Sequence, residues 1–335
     1  MLKPTKGVIV STFKCTAECP ECCFECSPRN NKQLSYEEIT RFIDKLKAET
    51  DINKLIWTGG ECFLLGEDLE KGISYAKQRG IYSRCVTNGF WATNEKIADK
   101  KLEKLKKAGM VELNLSTGDE HQLFVPENNI INAIVAAAKL GIHVALAIET
   151  RKNARVTKEK LIKNSQYQKK IIEEDLEKYV SIMNASWVSF HKDNIFEYEE
   201  DDHEYIISNG CDSIFDVLCL TPHKEIVGCC GLCIEHIPEM TLGKEDKNLM
   251  ELYSSQFDDF LKIWLYVDGP RIILEYLQSK NKNLNIPKFM HACQACAYIY
   301  NNAKIKKEIL NSYKNVYNDV IDRFTAKQIL NQYEY

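Results

Sequence analysis

Three closely spaced cysteines constrain this 335-residue chain more than any other feature of its sequence. Cys15, Cys19 and Cys22 form a C-x3-C-x2-C motif in the loop after the first predicted strand, Gly7–Thr12. Thiolates this close together can bind three irons of a [4Fe–4S] cluster, which leaves the fourth iron without a ligand from the motif. An open iron on a reducing cluster can bind a small molecule and pass it one electron. The alternative interpretation is a zinc knuckle or spare reduced thiols, because zinc sites also use Cys-x2-Cys spacings.

Composition and charge exclude several other classes of protein. The hydrophobic fraction of 44% is ordinary for a soluble globular chain, and the net charge of −4 gives no reason to expect a nucleic-acid partner. No apolar run approaches the ~20 residues of a membrane span, and the segment Met1–Lys6 lacks the apolar core of a signal peptide. Fourteen cysteines without a secretion signal therefore indicate metal ligands or reactive thiols in a reducing compartment. We predict a cytoplasmic protein.

Short apolar runs alternate with helical patterns over the first half of the chain. This alternation predicts an α/β fold with a parallel sheet, because parallel strands need crossover connections. Polar motifs follow successive strands, at the end where α/β barrels place their sites. After the first strand, the predicted strands are Leu55–Thr58, Tyr82–Val86, Val111–Ser116, His143–Glu149 and Trp187–Phe190. The predicted helices cover Ser35–Lys47, Asp68–Arg79, Glu95–Ala108, Asn129–Leu140 and the long charged pattern Lys158–Tyr179.

A second motif, Gly59-Gly60-Glu61, ends the second predicted strand. Together with the three cysteines it resembles the radical S-adenosylmethionine (radical SAM) superfamily. The resemblance implies that S-adenosylmethionine is the small molecule at the open iron. Glycines allow a close approach of the backbone, and the Glu61 carboxylate can accept a hydrogen bond from the methionyl ammonium, as the superfamily's glutamate does at this position.

Three further residues are candidates for binding the same cofactor. Asn88 and Ser116 lie at strand ends, where an amide or a hydroxyl could hold ribose or carboxylate groups. Arg151 could pair with the methionyl carboxylate. Ordinary capping of strand ends is the alternative for all three.

The chain departs from the superfamily just before the third cysteine, where an aromatic residue is common. Glu21 occupies this position, so no aromatic contact to adenine is expected from it. Phe90 and Trp91 could supply an apolar wall instead, although packing in the core is an equally good interpretation of them.

A second group of cysteines follows an acidic run, Phe196–Tyr205, in which we place a domain boundary. An auxiliary [4Fe–4S] cluster needs four thiolates. The C-x2-C pair Cys293 and Cys296, together with Cys211 and one member of the Cys229-Cys230 pair, would supply them. The arrangement resembles the auxiliary-cluster extension, called a twitch domain, of several radical SAM enzymes. A structural zinc site could use the same ligands.

The full N-terminal motif, C-x3-C-x2-C-C-F-x-C-S-P, resembles the start of the radical SAM peptide epimerases, which modify ribosomally made peptides. The resemblance implies that a 5′-deoxyadenosyl radical removes a Cα hydrogen and that a thiol returns hydrogen from the opposite face. Its implied donor is Cys230, with Cys229 bound to the auxiliary cluster and Asp216 as an orienting acid. The alternatives are a radical peptide maturase that forms a thioether or carbon–carbon crosslink, and a non-catalytic Fe–S or zinc protein.

These resemblances imply a specific architecture and set of partners. We expect a partial (β/α)6 TIM-like barrel over residues 1–200, a twitch-like auxiliary-cluster domain over 201–300 and a helical tail over 301–335. Two [4Fe–4S] clusters, S-adenosylmethionine, a peptide substrate and an electron donor such as flavodoxin or ferredoxin would complete the system. The remaining cysteines have no assigned role, and we expect Cys62 and Cys85 to be buried thiols.

Overall fold

One continuous sheet of nine strands organises the computed structural model, which describes residues 2–186, 210–229 and 234–331. The strand order across the sheet is β6-β5-β4-β3-β2-β1-β7-β8-β9. The strands are β1 (Lys6–Val10), β2 (Lys54–Thr58), β3 (Tyr82–Thr87), β4 (Met110–Thr117), β5 (His143–Glu149), β6 (Val180–Ala185), β7 (Val217–Leu220), β8 (Glu225–Val227) and β9 (Thr241–Lys244).

Strands β1 to β6 are parallel and lie side by side in chain order. This arrangement confirms the predicted α/β class. Helices make the crossovers between the strands: α1 (Tyr36–Glu49), α2 (Glu67–Gln78), α3 (Glu95–Ala108) and α4 (Glu127–Lys139). Because the strands are parallel, their carboxyl ends all meet at one edge of the sheet, where the polar motifs of the sequence come together.

Helix α1 shows how local sequence sets these crossovers. The Ser35 hydroxyl accepts a hydrogen bond from the Glu38 amide, and the Glu38 carboxylate accepts one from the Ser35 amide, so the predicted capping box is confirmed. The buried side chains of α1 recur at helical spacing and pack into the core under the sheet: Ile39, Phe42, Ile43 and Leu46.

The predicted long helix over 158–179 is wrong. The segment begins with two short helices, α5 (Lys158–Lys163) and α6 (Ser165–Tyr167), and continues with a π-helical turn and a 3-10 turn. Asn164 ends α5 because its backbone is extended (φ −59°, ψ 131°) and its side chain caps the Gln166 amide. The charged composition favours helix locally, but this capping residue interrupts it.

The sixth strand also differs from the sequence prediction. It is Val180–Ala185, whereas the predicted Trp187–Phe190 lies outside the described residues. Among the described strands, β6 pairs with β5 alone, and its side chains are exposed or half-buried. An edge strand of this kind needs few apolar residues, so its sequence carries a weak strand signal.

The second half of the chain extends the same sheet. Strand β7 pairs in parallel with β1, and β8 and β9 add antiparallel strands beyond it. The helices that follow are α7 (Leu249–Ser254), α8 (Phe260–Lys280), α9 (Ala292–Asn301), α10 (Ala303–Ser312) and α11 (Tyr317–Asn331), which confirm a helical C-terminal region. The predicted boundary near residue 200 falls outside the described residues. Among the described helices, none combines the length and apolar character that crossing a membrane would require.

Candidate functional site

The three cysteines of the first motif line one cavity at the carboxyl edge of the sheet. Cys15, Cys19 and Cys22 share this cavity with Gly59 and Gly60, which follow β2. The loop begins directly after β1, and β2 is the neighbour of β1 in the sheet. The sheet therefore joins the two motifs that the sequence keeps apart.

Backbone contacts explain why two glycines follow β2. The Gly60 amide donates to the Thr12 carbonyl at 2.6 Å, and the Glu61 amide donates to the Lys14 carbonyl at 3.0 Å. A Cβ atom on Gly59 would lie 2.4 Å from the Thr12 oxygen, and one on Gly60 would lie 2.3 Å from the Lys14 oxygen. The glycines thus let the end of β2 lie directly against the cysteine loop.

The Glu61 carboxylate faces the protein interior. It is fully buried and accepts hydrogen bonds from the Phe63 amide at 3.0 Å, the Asn88 amide at 2.8 Å and the Thr87 hydroxyl at 2.8 and 2.9 Å. Burial outweighs these donors and raises the pKa of Glu61 to about 7. These contacts fix the end of β3 against the end of β2. The contact between this carboxylate and a ligand ammonium stays a prediction.

Two predicted cofactor residues, Asn88 and Ser116, line the cavity with the cysteines. The Asn88 amide group donates to the Thr16 hydroxyl at 3.1 Å and lies 3.7 Å from the Cys15 sulfur. The ends of β3 and β4 therefore bring these side chains to the cysteine loop, as their strand-end positions predicted.

Arg151 is engaged elsewhere. Its guanidinium pairs with Asp119 at 3.2 Å and with Glu120 at 2.8 Å. The pairing with a ligand carboxylate stays a prediction, and two carboxylates of the chain itself contact this cation. The pairing ties the loop after β5 to the loop after β4.

The surroundings of Cys15, Cys19 and Cys22 show whether these three thiols could bind a cluster. Burial raises the pKa of Cys15 to about 11 and that of Cys19 well above its usual range, with the neighbouring Glu21 adding to the Cys19 shift. Hydrogen bonding from Cys26, including its amide at 3.4 Å from the Cys22 sulfur, lowers the pKa of Cys22 to about 6. Several adjacent buried thiolates are stable only with metal cations to balance their charge. This all-sulfur donor set fits a cluster bound by three cysteines.

A second set of thiols converges in the other half of the molecule. Burial raises the pKa of Cys211 above its usual range, and the charges of Cys229, Cys293 and Cys296 add to this, so these three predicted ligands lie within electrostatic range of Cys211. They come from three segments: the Cys211 amide donates to the Leu265 carbonyl at 2.9 Å, Cys229 follows β8, and the last two lie in the first turns of α9. Four soft ligands suit an iron–sulfur cluster or zinc.

Asp216 does not lie at the cysteine edge of the sheet. It directly precedes β7, and Val217 is in register with Lys6 at the amino end of β1. Its carboxylate accepts from the Lys6 ammonium at 2.6 Å and from the Thr5 hydroxyl at 2.5 Å. Because β1 and β7 are parallel, Asp216 lies at the edge opposite the cavity, and its role as an orienting acid stays a prediction. Cys230 and Cys233 lie outside the described residues.

Two polar residues beside Cys19, Glu21 and His121, were not predicted as site residues from the sequence. The ligand atoms of Cys19, Glu21 and His121 lie within 4.8 Å of one another, and the Cys19 sulfur is 3.9 Å from the His121 Nδ1. Burial lowers the pKa of His121 to about 3. Burial and the nearby Glu149 raise the pKa of Glu21 to about 8, and burial also raises that of Glu149 to about 7. The signal that could have revealed this group is an acid in place of an aromatic at position 21.

The other uncertain residues belong to the core. Trp91 stacks on Phe63 with ring centroids 4.7 Å apart, which supports core packing for this tryptophan. Cys62 and Cys85 are fully buried, as predicted, and Cys219 is buried within β7.

Comparison with known proteins identifies the first domain. Residues 9–150 match the family model of the radical SAM superfamily. The Bacillus subtilis (strain 168) protein YydG, named for peptide biosynthesis, is 24% identical over 300 residues, which are 87% of this chain and 90% of YydG.

Solved structures share the fold. The enzyme anSMEcpe, determined with bound AdoMet and a peptide, aligns over 95% of this chain and 99% of its own, with 12% identity and a TM-score of 0.55. Streptococcus suis SuiB bound to S-adenosylmethionine aligns over 75% of this chain and 65% of its own, with 14% identity and a TM-score of 0.51.

The segment that matches the family model includes the loop with Cys15, Cys19 and Cys22, so residues 9–150 carry a radical SAM domain. A radical SAM domain implies S-adenosylmethionine and one [4Fe–4S] cluster. Cys15, Cys19 and Cys22, the predicted ligands of that cluster, line the cavity.

Proposed function

We propose that this enzyme converts L-residues of a ribosomally synthesised peptide to D-residues. The observation that carries the proposal is the convergence of Cys211, Cys229, Cys293 and Cys296. These four thiols complete a metal centre without Cys230, the next residue after Cys229. Adjacent cysteines rarely both bind one cluster, so we propose that Cys230, the neighbour of Cys229 in the sequence, keeps its thiol hydrogen.

The proposed chemistry needs one group to remove hydrogen and another to return it. Bound S-adenosylmethionine supplies a 5′-deoxyadenosyl radical that takes the Cα hydrogen of the target residue. The Cys230 S–H bond is weaker than most C–H bonds, so this thiol can return a hydrogen atom to the other face of the planar Cα. The peptide is inverted without a change in composition, and Cys230 is left as a thiyl radical, which one electron from an external donor and one proton convert back to the thiol.

Two similar proteins support a peptide as the substrate of this enzyme. YydG carries a name that refers to peptide biosynthesis, and anSMEcpe was determined with a bound peptide. We propose that Cys15, Cys19 and Cys22 hold the first cluster and that the second thiol set holds an auxiliary [4Fe–4S] cluster. An external one-electron donor such as flavodoxin or ferredoxin would reduce the first cluster. Asn88 and Ser116, which line the cavity, are positioned to bind S-adenosylmethionine.

Isotope incorporation tests the reaction class. In D2O the Cys230 thiol exchanges to S–D, so each inverted residue should gain one deuteron at Cα. Chiral amino-acid analysis and peptide mass would measure this. Loss of two hydrogens without D-residues would instead identify the alternative, a maturase that forms a thioether or carbon–carbon crosslink.

Single variants of the adjacent cysteines test the donor. Cys230→Ala should retain both clusters and form 5′-deoxyadenosine, yet make little D-product, because the new face of the radical lacks its donor. The matched variant Cys229→Ala should lose iron from the second centre. If both variants keep full iron and make D-residues at the unmodified rate, the proposed donor is wrong.

A further inference from the structure

We infer that Lys262 and Tyr300 stabilise the reduced form of the cluster at the second thiol set and so set its reduction potential. These two residues would make the auxiliary centre a redox-active site of the enzyme instead of a purely structural one. The inference rests on the proposal that this thiol set holds a [4Fe–4S] cluster, and it does not depend on whether the peptide is epimerised or crosslinked.

Lys262 is a buried lysine in the first turn of α8. It is 4% exposed, and lysine side chains are rarely buried this deeply without a compensating charge. Two acids act on its ammonium, but both have other partners. The Asp259 carboxylate accepts hydrogen bonds from two amides at the start of α8, and the Glu239 carboxylate pairs with Lys306 at 2.9 Å. Both carboxylates therefore already bind other groups of the chain, and the ammonium still needs a compensating negative charge.

The packing of the C-terminal helices brings Lys262 to the second thiol set. The Cys211 amide donates to the carbonyl of Leu265, which lies one turn after Lys262 in α8. Helix α8 also packs against α9, the helix that carries the C-x2-C pair. Burial lowers the pKa of Lys262, and the charge of Cys229 is among those that act in the opposite direction. The thiol set is therefore placed to supply the negative charge that this ammonium needs.

Tyr300 approaches the same thiols from α9. It follows Cys296 by four residues, so the two side chains share one face of the helix, and helical side chains lean toward the preceding turn. Tyr300 is 3% exposed, and its hydroxyl is buried without a hydrogen-bond partner among the described residues. Burial raises the pKa of this hydroxyl, and nearby charges, including those of Cys296 and Cys229, add to the shift, so it keeps its proton. A buried donor without a partner indicates an acceptor that binds beside it.

A cation and a hydrogen-bond donor act on a cluster in the same direction. A [4Fe–4S] cluster bound by thiolates is negatively charged, and it becomes more negative when it accepts an electron. A neighbouring positive charge and a hydrogen bond to sulfur both favour the more negative state, so both raise the reduction potential. Lys262 would supply the charge and Tyr300 the hydrogen bond. Zinc has no redox change to tune, so a shift in potential is specific to an iron–sulfur cluster.

Redox titrations followed by electron paramagnetic resonance test the inference without a peptide. They use the cluster-loaded full chain with Cys15, Cys19 and Cys22 changed to Ala, so that the signal comes from the second centre alone. Lys262→Met should change the ratio of reduced to oxidised cluster about tenfold, which lowers the potential by about 59 mV for one electron. Lys262→Arg should keep most of the original potential, because it keeps the charge. Tyr300→Phe should shift the ratio in the same direction as Lys262→Met, by about threefold.

Matched controls lie on the same two helices. Lys280→Met removes an exposed lysine at the other end of α8, and Tyr298→Phe removes a hydroxyl that donates to the Asn285 carbonyl at 3.4 Å. Neither control should change the potential of the second centre. If Lys262→Met loses the cluster, the potentials of Lys262→Arg and Tyr300→Phe decide the question.

Three outcomes would overturn the inference. The first is an unchanged potential in Lys262→Met and Tyr300→Phe, and the second is a shift of equal size in the two controls. The third is zinc in place of iron at the second centre, which metal analysis would detect and which would also overturn the proposed auxiliary cluster. A crosslinked peptide, together with the expected shifts in potential, would overturn only the proposed epimerisation.

Discussion

The two cysteine sites of this molecule are built in opposite ways. The first takes its three thiols from one loop, Cys15–Cys22, and backbone hydrogen bonds from Gly60 and Glu61 hold the start of this segment against the end of β2. The second collects Cys211, Cys229, Cys293 and Cys296 from segments that only the folded second half brings together. A local site can be identified from spacing alone, whereas a distributed site depends on the packing of β8 and α9. Loss of the ligands of the first site should therefore abolish cleavage of S-adenosylmethionine. Loss of a ligand of the second site should also show how far the surrounding fold depends on that site.

The largest effect should follow from removing the first site. Changing Cys15, Cys19 and Cys22 together to Ala should halve the iron content, from about eight to about four atoms per chain. It should also abolish formation of 5′-deoxyadenosine, because no cluster remains to deliver the electron. Iron analysis and chromatography of the nucleoside would measure both. Persistent cleavage of S-adenosylmethionine in this triple variant would contradict the placement of the reacting cluster.

Removing one ligand of the distributed site should separate the two regions. Cys293→Ala should lose about four irons, while cleavage of S-adenosylmethionine without peptide continues, because the first loop is untouched. Metal analysis of both iron and zinc would check this outcome. If the unmodified protein holds zinc that this variant lacks, and iron does not change, the second centre is structural zinc.

A change in backbone shape should disturb the first site without touching a ligand. Gly60→Ala would place a Cβ 2.3 Å from the Lys14 oxygen and push the cysteine loop away from β2. We expect a loss of about 1–3 kcal/mol in the free energy of unfolding, together with lower iron content. Gly80→Ala is the control, because its new Cβ meets no atom within 4 Å although its φ of +74° makes alanine strained. Equal iron loss in both variants would show that general destabilisation is responsible.

The smallest effect should come from Asp216, at the far edge of the sheet. Its ion pair with Lys6 joins side chains that are 23% and 42% exposed, so Asp216→Asn should cost only about 0.2–1 kcal/mol of stability. The rate of peptide modification should stay unchanged. Loss of activity without loss of stability would instead support the orienting role that the sequence predicted for Asp216.

The sequence predicted the α/β class and the first cysteine loop, and it singled out the second group of thiols, because cysteine spacing and strand–helix alternation are local or countable. It misplaced β6, whose edge position removes the apolar signal, and it missed the break at Asn164. The roles predicted for Glu61, Arg151 and Asp216 stay predictions. Residue type indicates what a side chain can bind, but only the fold shows that Glu61 contacts Thr87, that Arg151 contacts Asp119 and that Asp216 contacts Lys6.

The shared sheet limits how such enzymes can be recombined. Strand β1 carries the first cysteine loop at one end, and its two sides pair with β2 and β7, which belong to different halves of the chain. A fragment that stops at residue 186 would leave the β7-facing backbone of β1 unpaired, and exposed strand edges promote association between molecules. Grafting the second half of a relative would require a replacement for β7 that keeps the register Lys6 to Val217. Substrate range in this architecture is therefore easier to alter through loops at the cavity than through exchange of whole halves.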